Sequence, residues 1–472
     1  MNELIRLSAS EAVARLKAGD VTPLDLIDAA AGQIAAADGA VNALPTRCLD
    51  RARDHAKRLK HPDDPPPGYL WGLPVAIKDL TEVAGVRTTF GSPIFADHVP
   101  ARSDAMVERI EARGGVVVAK ANTPEFGAGA QTFNEVFGVT RNPWNTAMTP
   151  GGSSGGSAVA LATGQVWLAQ GSDMGGSLRI PAAFTGVVGL RPSPGRVPHG
   201  PSALPFAPNS VEGPMGRTVG DVALFLDTMA GHMAVDPISL PAPATSFAAA
   251  TANARPPKRI AFSMDMGISP IHRDVRAAVE PALAHFRAMG TEIVESAVDF
   301  SCAEPVFQVI RAAQFAATHG DKLKTHRDQL KPEMVWNIEK GLALTADEIG
   351  RAERQRADLF QRFQAQFADI DLFVTPTVNT PPFDADTRYL EELEGVAFDS
   401  YISWLIMTFA LTLTTCPAIS VPCGFTPGGL PVGLQLVGPQ RGEASLLSGA
   451  AMFEQATGLA GATPVMPREA AA

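Results

Sequence analysis

The first forty residues carry two helical patterns in which apolar positions recur every three or four residues. Ser8 and Glu11 form a capping box ahead of the first pattern, and Gly19 follows its last turn. Thr22 precedes the second pattern, which opens with Pro23, a residue whose fixed φ suits the first position of a helix. The sequence therefore predicts two amphipathic helices, each with one buried face.

Beyond residue 70, short apolar runs alternate with helical patterns. The runs lie at 73–78, 116–120, 166–170, 259–262, 372–376, 418–422 and 432–437. The helical patterns cover 105–113, 157–162, 274–289 and the stretch from a capping box at Thr345 to about Phe367. Because short apolar strands between helices are typical of βα units, we predict an α/β fold whose sheet is covered on both faces.

Three stretches have an unusual composition. Residues 61–68 are rich in proline and predict a loop, and residues 236–257, rich in proline and alanine, predict a surface connection. Residues 147–200 are dense in glycine and serine but carry few charges, which argues against a solvated linker. We expect a tightly packed region there, in which backbone approaches backbone.

The overall composition is that of a globular protein, since 46% of the 472 residues are hydrophobic and 19% are charged. A net charge of −10 offers no basic surface, so we expect no nucleic acid and no membrane as a partner. The four cysteines form no CxxC pair and no cluster with histidine, so we expect no metal site and no disulfide framework. The chain shows no signal-like start and no apolar run of membrane-spanning length, which predicts a cytoplasmic protein.

Three elements carry candidate chemistry: Lys78 at the end of an apolar run, the loop 151–157 and the loop 171–177. Because Lys78 follows three apolar residues, burial is expected to lower the pKa of its ammonium and let it act as a base. The alternative is a lysine whose stem lies on apolar surface while its charge reaches water. The presence of both glycine loops favours the catalytic interpretation.

The loop that ends in Ser177 combines a hydroxyl with a run of glycines. Glycines expose backbone N–H groups, and the amides of residues 174–176 could point at one substrate oxygen as an oxyanion hole. A serine hydroxyl needs a base before it becomes an effective nucleophile. Ser153 could accept the proton of Ser177 and pass its own proton to Lys78.

The loop 151–157 also matches parts of two other motifs. Residues 152–156 satisfy the G-x-S-x-G pattern of Ser-His-Asp hydrolases, but that order needs a late histidine, and the last one is His326. A phosphate-binding P-loop needs a Lys-Ser/Thr pair, which this loop lacks. A purely structural role explains either glycine loop alone, but explains both together with Lys78 less well.

The same residues match the motifs of a known family. Gly-Gly-Ser-Ser-Gly-Gly-Ser begins at residue 151, and Gly-Ser-Asp-Met-Gly-Gly-Ser-Leu-Arg places Ser177 24 positions after Ser153. Residues 72–79 fit an upstream Gly-x-Pro-x-x-x-Lys-Asp strand, and residues 417–422 and 429–435 fit two closing strands. The chain resembles the amidase signature family of Ser-cisSer-Lys serine hydrolases over most of its length, and least at about 300–370.

This resemblance implies one large domain over residues 1–472, an α/β/α sandwich around a mixed β-sheet. Its parts would be N-terminal helices at 1–60, a signature core at 61–235, a variable αβ segment at 236–400, and closing strands with a helix at 401–472. It also implies an enzyme that uses no cofactor.

The resemblance further implies a role for each motif residue. Ser177 forms the acyl-enzyme, Ser153 relays the proton and has a cis peptide bond to a neighbour, and Lys78 is the base and then the acid for the leaving amine. The oxyanion is held by the backbone amides of Met174, Gly175, Gly176 and Ser177. Three side chains act as supporting partners or have a purely structural role: Ser172, Asp173 and Arg179, with Arg179 paired to Asp173.

The family's reaction implies a small-molecule amide substrate, with aryl amides, esters and carbamates as related possibilities. Phe126, Phe133 and Phe184 suggest an apolar pocket, although core packing explains these residues equally well. Met174 stands where the family often has threonine, so substrate detail transfers poorly from those members. A glutaminase A-type subunit of a tRNA-dependent amidotransferase is the second hypothesis and a non-catalytic binding protein the third. The sequence leaves open whether the protein forms a homodimer.

Overall fold

The computed structural model describes residues 2–469, and its centre is one mixed β-sheet of eleven strands flanked by helices. The strands of the chain are β1 (Thr46–Arg47), β2 (Pro74–Lys78), β3 (Val116–Ala121), β4 (Phe133–Asn134), β5 (Gly138–Val139), β6 (Leu168–Asp173), β7 (Val188–Arg191), β8 (Val211–Gly216), β9 (Arg259–Phe262), β10 (Glu292–Glu295), β11 (Leu372–Pro376), β12 (Glu392–Leu393), β13 (Val396–Ala397), β14 (Ala418–Phe425) and β15 (Pro431–Val437). The helices are α1 (Glu3–Arg6), α2 (Ala9–Ala18), α3 (Pro23–Val41), α4 (Leu49–Arg58), α5 (Ala105–Ala112), α6 (Gly155–Ala162), α7 (Arg179–Thr185), α8 (Val219–Met229), α9 (Phe247–Ala252), α10 (Arg273–Ala288), α11 (Ala303–Thr325), α12 (Pro332–Leu342), α13 (Ala346–Ala365), α14 (Ile406–Thr412) and α15 (Glu443–Thr457).

The eleven strands lie in the order β1-β3-β2-β6-β8-β7-β14-β15-β11-β9-β10. β2 pairs in parallel with β3 and β6, and β9 pairs in parallel with β10 and β11, whereas the other neighbours are antiparallel. The pairs β4–β5 and β12–β13 form small hairpins of their own. Strands from both halves of the chain therefore join one sheet, and the predicted α/β fold around a mixed sheet is confirmed.

Successive strand residues point into two different apolar layers. In β2, Val75 and Ile77 belong to one buried cluster and Ala76 to the other. In β3, Val117 belongs to the first cluster and Val116 to the second. Because side chains alternate along a strand, this division places a packed core on each face of the sheet.

Both N-terminal helices begin and end as their sequence predicts. The Ser8 and Thr22 side chains each accept a hydrogen bond from the third residue of their helix, in complete capping boxes. Gly19 follows α2 with a φ of 78°, a conformation that glycine adopts without steric cost. Within residues 2–469, no helix combines the length and apolar composition that crossing a bilayer requires.

The stretch 236–257 differs from its prediction as a surface connection, because it contains α9. The Asp227 carboxylate accepts hydrogen bonds from the first N–H groups of this helix, at 2.8 and 2.9 Å. Phe247 at its start is buried in the main apolar cluster. The alanines and the Ser246 cap favour this short helix locally, and the distant carboxylate and the buried ring stabilise it further.

The apolar run predicted at 166–170 forms a strand that begins and ends later. β6 pairs with β8 along its whole length, and Ser172 and Asp173 lie opposite Glu212 and Val211. The long-range partner therefore extends the strand beyond its apolar residues. As a result, Ser172 and Asp173 are held by the sheet rather than by a loop.

Candidate active site

Lys78 ends β2 and is completely buried. Its Nζ donates hydrogen bonds to three hydroxyl groups, those of Ser153 at 2.7 Å, Ser154 at 2.9 Å and Ser172 at 3.0 Å. Its backbone N–H donates to the Gln170 side chain at 2.9 Å. Three neutral oxygens satisfy the hydrogen-bonding capacity of the amine without supplying a counter-charge.

A second buried lysine, Lys120 on β3, has a different environment. Its Nζ lies 3.1 Å from the Asp79 carboxylate in an ion pair and also donates to the Thr88 hydroxyl at 2.8 Å. No carboxylate within residues 2–469 forms an ion pair with Lys78. Burial lowers the pKa of Lys120 as well, but the paired Asp79 carboxylate opposes that change at hydrogen-bond distance, a contact that Lys78 lacks among the described residues.

Burial lowers the pKa of Lys78 to about 7, although the negative charges of Glu212 and Asp173 oppose that change. Burial also raises the pKa of the Glu212 carboxyl to about 8, an effect that Asp104 strengthens and Lys78 counteracts. Gln170 links the two groups, since its Oε1 accepts from the Lys78 amide and its Nε2 donates to Glu212. An uncharged lysine amine is therefore accessible near neutral pH.

We predict that kcat/KM for amide hydrolysis rises with pH through about 7 and then reaches a plateau, because only the neutral amine of Lys78 accepts a proton. Ionisation of Glu212 raises the pKa of Lys78, so replacing Glu212 by glutamine, which cannot ionise, should move the midpoint to lower pH. The exposed substitution Glu280→Gln should leave the midpoint unchanged. A profile that is flat between pH 5 and 9 would exclude Lys78 as the base.

Ser153 and Ser177 come from two loops that the backbone holds together. The Ser154 N–H donates to the Ser177 carbonyl at 3.2 Å, and the Gly152–Ser153 peptide bond is cis. Ser153, Ser172 and Ser177 line one cavity of about 90 Å³. The structure therefore brings the three hydroxyl groups to a common space beside the Lys78 amine.

Asp173 anchors the Ser177 loop from behind. Its carboxylate forms ion pairs with Arg179 at 2.9 Å and Arg191 at 3.3 Å, and all three side chains are buried. It also accepts the backbone N–H groups of Gly176 at 2.9 Å and Leu178 at 3.1 Å. Burial alone would raise the pKa of Asp173, but the two arginines outweigh it and hold that pKa well below its usual range. The carboxylate thus stays ionised and fixes both ends of the turn.

Replacing Asp173 by asparagine should lower the free energy of unfolding by about 3–5 kcal/mol, because two buried guanidinium groups would lose their counter-charge. Urea unfolding of both proteins at pH 7 measures this loss. The control is Asp386→Asn, which breaks an exposed pair with Arg141 and should cost less than about 1 kcal/mol. Equal losses in the two variants would contradict the assigned role of Asp173.

The predicted oxyanion donors differ in how the structure uses them. The Gly176 N–H donates to Asp173, while Met174 and Gly175 are half-buried and line the cavity. Gly176 has a φ of 115°, and a Cβ there would lie 2.2 Å from the Thr408 hydroxyl oxygen. Only glycine fits this position, so the turn before Ser177 depends on it.

The aromatic residues proposed for the pocket lie in different places. Phe126 lines the cavity, with a φ of 48° in the left-handed region. Phe133 instead contacts two cations. The Arg388 guanidinium lies 4.9 Å from the centre of its ring, and the Lys331 amine lies 5.5 Å from it. Phe184 is buried in the core. Further apolar lining comes from residues without a sequence motif: Leu80, Phe307, Phe315, Ile402 and Leu405.

Comparison with known proteins identifies the family. The family model described as Amidase matches residues 25–447. The chain belongs to the amidase family. An acylamidase of Rhodococcus erythropolis is 34% identical to this amidase over 95% of each chain. A glutamyl-tRNA(Gln) amidotransferase subunit of Chloroflexus aggregans is also 34% identical, over 97% of this chain and 98% of the relative.

A solved structure supports the same assignment. A bacterial aryl acylamidase of the amidase signature family superposes with a TM-score of 0.89 at 26% identity, covering 98% of this chain and 100% of the other. The resemblance to the amidase signature enzymes is therefore confirmed. This amidase is an enzyme of the hydrolase class that cleaves amide bonds.

Sequence reasoning missed several groups around this amidase's cavity. The glycine-loop motif gives Ser154 no role of its own, yet its hydroxyl accepts from Lys78. Glu212 and Gln170 reach Lys78 because β6 pairs with β8, which no local pattern indicates. Arg311 enters the lining from α11, in the stretch where the family resemblance is weakest.

Proposed function

We propose that this amidase hydrolyses acyl amides through an acyl-enzyme on Ser177, without a partner chain. The arrangement of Lys78 carries the proposal. Its buried Nζ lies 2.7 Å from the Ser153 hydroxyl, and Ser153 and Ser177 line the same cavity. An amine whose pKa burial lowers to about 7 is a competent base for a hydroxyl relay at neutral pH.

In the proposed reaction, Ser177 Oγ attacks the amide carbonyl and gives its proton to Ser153 Oγ, which gives its own proton to the neutral Lys78 amine. Backbone amides of residues 174, 175 and 177 stabilise the oxyanion, because the Gly176 N–H is already bonded to Asp173. The tetrahedral intermediate then breaks its C–N bond, and the proton on Lys78 returns through Ser153 to the departing amine. Water repeats the sequence on the acyl-enzyme, which releases the carboxylic acid and restores Ser177.

The substrate class follows from the relatives and from the cavity. The acylamidase and aryl acylamidase relatives support amides whose acyl or amine part is apolar. Phe126, Phe307 and Phe315 supply apolar surface near the hydroxyl groups. We therefore assign carboxylic acid amides, including aryl amides, as the substrate class. The corresponding esters are expected as side substrates, because an ester and an amide of the same acid form the same acyl-enzyme.

A glutaminase role within an amidotransferase is the second candidate, because the amidotransferase relative is as similar in sequence as the acylamidase. Free glutamine carries an ammonium group beside its carboxylate, and a site for it is expected to offer a carboxylate. Within the described residues, the cavity lining contains no aspartate and no glutamate. This composition favours an acyl amide over glutamine.

The test is hydrolysis by the purified chain alone, with acetanilide, hexanamide, phenyl acetate and L-glutamine as substrates. We expect turnover of at least one of the first two amides and of the ester, and none of glutamine. Turnover of glutamine alone would support the amidotransferase alternative. Absence of any turnover with every amide would overturn the proposed stand-alone activity.

A further inference from the structure

Arg311 is a buried cation with no anionic partner in the part of the chain that the structure describes. It lies on α11 and is 5% exposed. Its Nη1 donates to the Asn337 side-chain oxygen at 2.5 Å and its Nη2 to the Tyr401 hydroxyl at 2.6 Å. The guanidinium carbon lies 4.3 Å from the ring centre of Phe315, one turn further along the helix. These contacts hold the guanidinium rigidly but leave three of its five N–H donors unused by them.

The acidic residues around Arg311 are engaged elsewhere. Glu333 on α12 pairs with Arg388 at 2.8 Å, and Glu304 on α11 accepts from the Ser403 hydroxyl. Within residues 2–469, no carboxylate forms an ion pair with Arg311. Lys331 adds a further positive charge nearby, and Arg311 is one of the charges that lower its pKa. Among the described residues, Arg311 thus has no carboxylate partner of its own.

Arg311 also lines the cavity that contains Ser153 and Ser177, and it is the one ionisable side chain among the described residues of that lining. Burying an unpaired guanidinium is costly, so such a group at a ligand cavity indicates that the ligand supplies the counter-charge. Guanidinium groups bind carboxylates through two parallel hydrogen bonds, with matching planar geometry.

We propose that Arg311 binds a carboxylate of the substrate, so that the preferred substrates are amides that carry a carboxylate beyond an apolar or aromatic segment. The apolar rings of Phe126, Phe307 and Phe315 accompany the hydroxyl groups and the guanidinium in the lining, which suits such a segment. This inference rests on the proposed function, because it concerns the substrate of the same site.

The experiment compares substrates that differ only in one carboxylate. The pairs are 4-acetamidobenzoate with acetanilide, 4-carbamoylbenzoate with benzamide, and adipic acid monoamide with hexanamide. We expect the wild-type kcat/KM to favour the charged member of at least one pair by about 10-fold or more. The Arg311→Met variant should reduce that ratio by roughly 10- to 100-fold, and Arg311→Lys should retain part of it, because lysine keeps the charge but not the planar fork.

The control variant is Lys340→Met, which removes a nearby positive charge outside the lining of this cavity. It should leave the ratio unchanged. If Arg311 only ties α11 to Asn337 and Tyr401, Arg311→Met will lower both members of a pair equally, and the inference is overturned. A wild-type enzyme that prefers the neutral member in every pair overturns it as well.

A binding measurement separates this inference from the proposed function. Isothermal titration of the Ser177→Ala variant with each charged and neutral member gives two dissociation constants that do not depend on turnover. Tighter binding of the charged member, lost at high salt, supports the carboxylate site even if the wild type hydrolyses neither compound. Equal affinity for both members overturns the carboxylate site even if amides are hydrolysed. This comparison needs only Ser177→Ala, so it decides whether the cavity binds a carboxylate even where Arg311→Met does not fold.

Discussion

Replacing Ser177 by alanine is expected to lower kcat/KM for amide hydrolysis by about 10⁴-fold or more. The substitution removes the atom that forms the acyl-enzyme, whereas the Lys78 hydrogen bonds to Ser153, Ser154 and Ser172 remain. The loss should therefore lie in kcat, with substrate still bound. Steady-state kinetics measure this loss with an amide that the wild type hydrolyses and with the matching ester. The variant should lose activity on both substrates.

The control for this prediction is Ser210→Ala. Ser210 is an exposed serine in the lining of the same cavity, and its hydroxyl makes no hydrogen bond to Lys78. This variant should keep activity within a few-fold of the wild type. An active Ser177→Ala enzyme would mean that another group attacks the carbonyl.

Replacing Lys78 by methionine is expected to lower kcat for amides by about 10³–10⁴-fold, because the general base and the donor to the leaving amine are the same group. An activated ester should lose less, since its alkoxide or phenoxide leaves without prior protonation. The variant should also lose the rise in activity through pH 7 that the wild type shows. Kinetics with an amide and an ester of the same acyl group, across pH 5–9, measure all three effects.

Lys120→Met is the matched control, since Lys120 is also a buried lysine. It leaves the Asp79 carboxylate buried without its cation, so it should destabilise the protein by about 3–5 kcal/mol. Whatever folded enzyme remains should keep the pH midpoint of the wild type.

For the Lys78→Met variant itself, equal losses of activity on amide and ester would contradict the role of Lys78 as acid for the leaving amine.

Much of the candidate site was predictable because its parts are local in the sequence. The glycine loops predicted where backbone N–H groups and hydroxyls gather, and the apolar run before Lys78 predicted its burial. The spacing from Ser153 to Ser177 corresponds to α6 and β6, which return the chain to the same end of β2. The α/β fold followed from the same alternation of apolar runs and helices.

The remaining groups depend on pairings between distant segments. Glu212 comes close to Lys78 through the antiparallel pairing of β6 and β8. The apolar residues beside Glu212 in the sequence predict only that its strand is buried. Arg311 lines the cavity because α11 packs beside α14 and α12, and neither contact leaves a periodic signal in the sequence. The helix at 247–252 is likewise stabilised by a carboxylate twenty residues away, at Asp227.

The central claim is that Ser177 is the nucleophile activated through Ser153 and Lys78. Its most direct test is treatment of the enzyme with phenylmethylsulfonyl fluoride, followed by intact mass measurement and peptide mapping. We expect one sulfonyl group per chain, located on Ser177, absent in Ser177→Ala and formed far more slowly in Lys78→Met. A label located on Ser153 in the wild type, or labelling of Ser177→Ala at the wild-type rate, would contradict this claim.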